Sequence, residues 1–150
     1  MRFEGKVNIS APRTDVWAFL TDANAVSRCM PGLESIEIIT PNEKFRAIGA
    51  MGLGSVKLKM STDVEWVELD APNRAKMKMR GTASGSSIDV ASEMHLADGP
   101  DGSTEMEWSA EVKVMGTIAS LAARLMKPVT QKLTGEFFSC VKKKMEKGES

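Results

Sequence analysis

The side chains best suited to chemistry in this chain are one histidine, His95, and two cysteines, Cys29 and Cys140. A nucleophilic thiol needs a base beside it. His95 is the sole imidazole, and it lies between Met94 and Leu96 on the outward parity of an alternating strand. It reads as a solvated surface residue. Metal binding needs several His, Cys or carboxylate ligands converging at about 2–2.5 Å, and the sequence spaces none for that purpose. The cysteines show neither CxxC nor zinc-type spacing. They are read as free, partly buried thiols in a reducing compartment, with a disulfide as the alternative. The run Gly49-Ala50-Met51-Gly52-Leu53-Gly54 superficially suggests a phosphate loop. It lacks the following Lys-Ser/Thr and joins two strands, so its glycines read as a tight hairpin or a thin wall at a cavity mouth. Acid/base catalysis would require Asp89, Glu105 or His95 in the interior, and the inward parities hold almost nothing ionisable.

What points inward is apolar. The chain has eleven methionines and no tyrosine. Met51, Met60, Met77, Met79, Met94 and Met106 share the inward parity of their strands with Trp66 and Trp108. Unbranched thioethers fill irregular space and repack around changing shapes. Composition alone leaves two readings, gap-filling in an ordinary core and a plastic ligand cavity. For a cavity, the candidate ligand contacts on the sheet are Met60, Trp66, Met77, Met79, Val90, Met94, Met106 and Trp108. Phe19 and Cys29 join them from the N-terminal third, and Leu121, Leu125 and Val129 from the C-terminal helix. Thr62, Ser84 and Cys29 are the polar side chains able to orient a guest in such a pocket.

The elements that must position these residues follow from periodicity. A strand over about Arg2 to Ser10 puts Phe3, Gly5, Val7 and Ile9 on one face. Ser10 is expected to cap the next helix, with Pro12 in its first turn and Val16, Phe19 and Leu20 as its inward stripe. A second short helix, about Asn24 to Arg28, runs into the Met30-Pro31-Gly32 turn. Alternating strands then follow up to Val114, the clearest being Val56, Leu58, Met60, Thr62, Val64 and Trp66 against outward Lys57, Lys59, Ser61, Asp63 and Glu65. One-sided alternation belongs to antiparallel strands with one wet face. From about Thr117 to Glu146 the period turns helical, through Ile118, Leu121, Leu125, Val129, Leu133, Phe137, Cys140 and Val141. Pro128 is expected to bend that helix. The fold expected is α+β. A curved antiparallel sheet of about six or seven strands wraps a long C-terminal helix, and two short helices separate strands one and two. The gap between bent helix and curved sheet is the candidate cavity.

At 150 residues the chain reads as a single domain over 1–150. Twenty basic residues balance twenty acidic ones, which argues against nucleic acid as a partner. No stretch approaches the ~20 apolar residues of a membrane span, and the N-terminus lacks a signal-peptide core. The expected location is cytoplasmic. Outward Lys57, Lys59, Lys76, Lys78 and Arg80 read as a solvated face, with anionic lipid headgroups as the minority reading. Lys142-Lys143-Lys144 suits the negative end of the last helix dipole, with a membrane contact as its alternative.

The signature Phe3-x-Gly5-Lys6-Val7, Ala11-Pro12, Val16-Trp17-x-Phe19-Leu20-x-Asp22 and Cys29-x-Pro31-Gly32 resembles the CoxG family of carbon monoxide dehydrogenase accessory proteins, within the START-like and pollen-allergen-like helix-grip superfamily. The likeness extends over nearly the whole chain, including Gly52-x-Gly54 and Phe137-Phe138. Ala23-Asn24 stands where family members often have a proline. The resemblance implies a non-catalytic accessory of a molybdenum-containing carbon monoxide dehydrogenase that places the enzyme at the inner face of the cell membrane. It implies no covalent cofactor. Relatives often carry a C-terminal extension suited to anchoring, whereas this sequence stops at Lys147-Gly148-Glu149-Ser150, so that tail is expected to be absent or removed. Electrons from carbon monoxide are destined for lipid-soluble carriers, so the expected guest is a respiratory quinone or another prenylated lipid. Three rivals are a docking module without ligand, a stand-alone lipid carrier, and a small polyketide-cyclase-like enzyme.

Overall fold

A computed structural model describes residues 1–53 and 55–146. Gly54 of the glycine-rich run and the terminal Lys147–Ser150 lie outside the described residues. Strand β1 (Arg2–Ile9) is followed by helices α1 (Arg13–Thr21) and α2 (Ala23–Ser27). Six strands come next: β2 (Leu33–Thr40), β3 (Lys44–Leu53), β4 (Val56–Asp70), β5 (Arg74–Ala83), β6 (Ser86–Asp98) and β7 (Thr104–Gly116). Helix α3 (Ala119–Glu146) completes the chain.

The strands form one seven-stranded sheet in the order β1-β7-β6-β5-β4-β3-β2. Every pairing is antiparallel, and β2 to β7 are a simple meander. The first strand closes onto the last, with Gly5 opposite Trp108 and Val7 opposite Met106. Helix α3 touches β3 as well as β1 and β7. Those strands lie far apart in the sheet order, so the sheet must curl around the helix. This is the expected helix-grip architecture.

Local chemistry explains most of the boundaries. Asn42, with φ of 63°, turns the chain between β2 and β3, and Asp101 and Gly102 do the same between β6 and β7. Gly32 has φ of 78°, which the Met30-Pro31-Gly32 corner requires. Gly32 accepts a hydrogen bond from Ala50 N–H (3.0 Å). A Cβ on Gly49 would lie 2.5 Å from the Gly32 carbonyl oxygen. Glycines at both positions thus let the α2–β2 loop lie directly on β3.

Several expectations are corrected. Ser10 does not cap α1: Pro12 occupies the N-cap without a side-chain bond. Ser10 instead donates its backbone N–H to Glu146 Oε2 (2.8 Å), tying β1 to the end of α3. The capping oxygen in this region belongs to Asp22, which accepts from Asn24 and Ala25 N–H at the start of α2. Val56, expected inside, is 39% exposed at the start of β4. Cys29 and Cys140 are not free thiols; they are joined in a disulfide. Their separation of 111 residues hides the pairing from any local spacing rule. Only the fold brings α3 back over the α2–β2 loop.

The interior is divided. One cluster joins β1, α1 and the end of α3 through Ile9, Val16, Leu20, Met106 and Val141. A second, around Ile88, Ile118, Ala122 and Met126, fills the space beneath the first half of α3. A third, Phe45, Ala47 and Val64, lies on β3 and β4. A filled core would normally be one contiguous cluster.

Candidate ligand cavity

Between the three clusters lies a cavity of about 510 Å³, within the size range of small-molecule sites. The sheet supplies Met60, Thr62 and Trp66 from β4 and Met77 and Met79 from β5. Val90, Ser92 and Met94 come from β6, and Met106 and Trp108 from β7. Leu133, Thr134, Phe137 and Phe138 of α3 close it from above, and Met30 to Leu33 with Gly49 to Met51 wall one side. Met60, Trp66, Met77, Met79 and Trp108 face the concave side yet remain only half-buried. Inward apolar groups that still meet solvent-sized space are what a hollow interior requires.

Glycine makes that room at two places. The Trp108 indole lies across the backbone of β1, where a Cβ on Gly5 would sit 2.9 Å from its Nε1. From there Trp108 reaches Phe138, with ring centroids 6.4 Å apart, and Phe138 meets Phe137 edge-on at 5.1 Å. At the other end, a Cβ on Gly81 would lie 2.5 Å from Met60 Cε and 3.1 Å from Thr62 Oγ1. The Met60 side chain occupies the place that a larger residue 81 would take.

The sequence-derived set is therefore placed as follows. Met60, Trp66, Met77, Met79, Val90, Met94, Met106 and Trp108 all line the cavity. Phe19 and Cys29 are packed in the first cluster instead. Leu121, Leu125 and Val129 pack on the second cluster, under the half of α3 that is seated directly on the sheet. Ser84 is exposed beyond the end of β5. Helical periodicity marks which face of α3 turns inward but does not show where along its length the sheet falls away. Ser92 falls outside the sequence-derived set although its parity, between Val90 and Met94, places it inward. The Met30–Leu33 wall carries no periodic signal at all.

The cavity is electrostatically quiet. Glu93 borders it, but its carboxylate lies 2.7 Å from the ring of exposed His95. Asp89 pairs with Arg80 at 2.8 Å, and Glu105 accepts from Asn8 at 3.0 Å on the exposed face. The three residues that an acid/base mechanism would need inside thus lie outside. The Thr134 hydroxyl donates to the Thr130 carbonyl (2.8 Å). Thr62 and Ser92 are then the inward hydroxyls of the sheet wall. No cluster of metal-ligating side chains occurs among the described residues, and none of their helices is long and apolar enough to cross a membrane.

A larger depression of about 790 Å³ lies on the outer face of the sheet. Its rim carries Lys44, Asp63, Glu65, Lys78, Arg80, Asp89, Glu111 and Lys113. Opposite charges face one another across the strands, as in Asp63 opposite Arg80 and Glu65 opposite Lys78. Arg46 donates to Asp63 at 2.8 Å, and this hydrogen bond holds the Asp63 carboxyl below its usual range. Lys76 and Lys59 likewise have Glu68 and Glu34 within 3.9 and 3.8 Å. The basic stripe seen in sequence is therefore interleaved with carboxylates, as expected of a solvated face.

Comparison with known proteins agrees with this geometry. A conserved protein from Geobacillus kaustophilus superposes with a TM-score of 0.90 at 23% identity, covering 100% of this chain and 98% of that one. A START superfamily protein from Mycobacterium smegmatis gives a TM-score of 0.76 at 9% identity, with 97% of each chain covered. A norcoclaurine synthase point mutant from Thalictrum flavum, solved with a transition-state analogue, gives 0.71 at 12% identity over 100% and 96%. At such identities these structures establish the shared fold, and the synthase shows that the fold can be catalytic. No curated protein matches the sequence. The family signature of CoxG, a carbon monoxide dehydrogenase subunit, matches residues 5–146. The chain belongs to the CoxG family of carbon monoxide dehydrogenase subunits.

Proposed function

We propose that this protein is a non-catalytic accessory of a molybdenum-containing carbon monoxide dehydrogenase that carries an apolar, lipid-derived electron acceptor in its cavity. The observation that carries the reading is a space of about 510 Å³ walled by methionines and aromatics, with the nearby acids and the histidine turned outward. A respiratory quinone or related prenylated lipid fits that chemistry. Each buried CH₂ of an isoprenoid tail contributes ~0.8 kcal/mol, so about ten such carbons, roughly two isoprene units, match the ~8 kcal/mol of micromolar binding. Thr62 or Ser92 would meet a ring carbonyl, and the flexible methionines would adapt to the tail. The family name supports the dehydrogenase as partner. Recruitment of that enzyme to the inner membrane face belongs to the same proposal, since an acceptor of this kind is exchanged with a bilayer.

The test is organic extraction of the purified protein followed by mass spectrometry, together with titration of added quinone. A bound prenylated molecule, or saturable quinone binding that alters electron delivery from the dehydrogenase, is the expected result. Absence of both defeats the carrier reading.

A further inference from the structure

The Cys29–Cys140 disulfide joins two segments that border the cavity, the loop before its side wall and the helix that roofs it. Cys29 ends the α2 region and immediately precedes Met30 to Leu33, which line the cavity. Cys140 lies two residues beyond Phe138, on the half of α3 that roofs it. Otherwise the loop is held by burial of Cys29 in the first cluster, by packing of Leu33 on the third, by local turns and by one backbone bond from Ala50 to Gly32. The α3 roof is anchored separately beyond the disulfide, by fully buried Val141 and by the Glu146–Ser10 bond. Breaking the disulfide would thus remove the covalent tie between loop and roof and leave Cys29 held there by packing in the first cluster alone. The two residues differ in exposure, since Cys29 is 4% exposed and Cys140 is half-buried.

We infer that Cys29 and Cys140 form a reversible oxidation site that sets how readily the cavity opens. The link to ligand exchange rests on the carrier reading; the redox change itself does not. Reduction by a small dithiol starts with thiolate attack on Cys140 Sγ, the sulfur of the more exposed residue. The protein S–S bond breaks, a mixed disulfide forms at Cys140, and Cys29 leaves as a thiolate that takes up a proton. The reductant's second thiol then displaces Cys140, which is protonated in turn. The protein gains two electrons and two protons, and the reductant leaves as a cyclic disulfide. A low-molecular-weight disulfide drives the reverse change by the same exchange steps. The reducing surroundings expected from the sequence would keep the pair as thiols, so the open form would prevail there and an oxidising shift would close it.

Hydrogen exchange followed by mass spectrometry tests this on the full chain, oxidised with glutathione disulfide or reduced with dithiothreitol. Reduction should speed exchange at residues 28–33 and 130–140 and leave the β5–β7 amides protected, and reoxidation should reverse it. Release of cis-parinaric acid, an apolar fluorescent probe, should quicken at least about tenfold on reduction, as expected when a covalent tether across a moving segment is lost. Cys140→Ser should release at the reduced rate without reductant. Identical exchange in both states overturns the proposal, as does alkylation of both cysteines after glutathione disulfide treatment, because no disulfide then forms. A probe that binds in neither state defeats the carrier reading, while the exchange comparison still decides the redox site.

Discussion

Replacing Gly81 with leucine is the most direct way to ask whether the cavity holds the ligand. Gly81 is buried on β5, lines the cavity and is not among the glycines with positive φ, so a side chain is allowed there by the backbone. The new Cβ would conflict chiefly with Met60 Cε at 2.5 Å, the free end of a flexible chain beside open space. In a close-packed core such overpacking costs typically 1–3 kcal/mol. Here Met60 can swing into the hollow, so the cost should fall at or below about 1 kcal/mol, a change in Tm of a few degrees for a chain of this size. Binding should suffer far more. The leucine side chain displaces about as many ligand carbons as it adds, and at ~0.8 kcal/mol per CH₂ this amounts to about 3 kcal/mol, or roughly a hundredfold or more in Kd. Quenching of Trp66 and Trp108 fluorescence by added quinone reads the affinity, and a thermal melt reads the stability. An unchanged Kd in a variant that melts normally would show that the ligand sits elsewhere.

Two further outcomes test the frame that holds the cavity. Thr104 is fully buried and donates its hydroxyl to the Ala11 carbonyl at 2.7 Å, so Thr104→Val should leave that carbonyl unpaired and lower stability in urea unfolding by about 1–3 kcal/mol. On the outer face, the hydrogen bond from Arg46 depresses the Asp63 carboxyl below the ordinary 3.8. A carboxyl with a depressed folded pKa adds stability above its unfolded value and loses it as pH falls through the folded one. Asp63→Asn should therefore flatten the acid limb of the melting curve below that value and leave Kd for quinone unchanged, and an acid limb identical to wild type would refute the assignment.

The legible part of this protein is what periodicity controls. Alternation along β4 to β7 identified which methionines and tryptophans face inward, because a strand's side chains must alternate and one face was to be wetted. The same rule set Asp89, Glu105 and His95 outside, and the three- and four-residue steps after Thr117 announced α3 with its buried stripe. Signals that are local in sequence, such as the Met30-Pro31-Gly32 turn, were equally readable.

Three features waited for the tertiary structure, each because it depends on distance between segments remote in sequence. The pairing of Cys29 with Cys140 exists only because α3 returns over the α2–β2 loop. The second half of α3 borders the cavity while Leu121, Leu125 and Val129 do not, since the sheet's curvature, not the helix's own period, decides where the two layers part. The roles of Gly5 and Gly81 are visible only once Trp108 and Met60 are seen lying where their side chains would be. Sequence alone determined the faces of this protein; the curvature of the folded sheet decided which of those faces meet and where they leave a space.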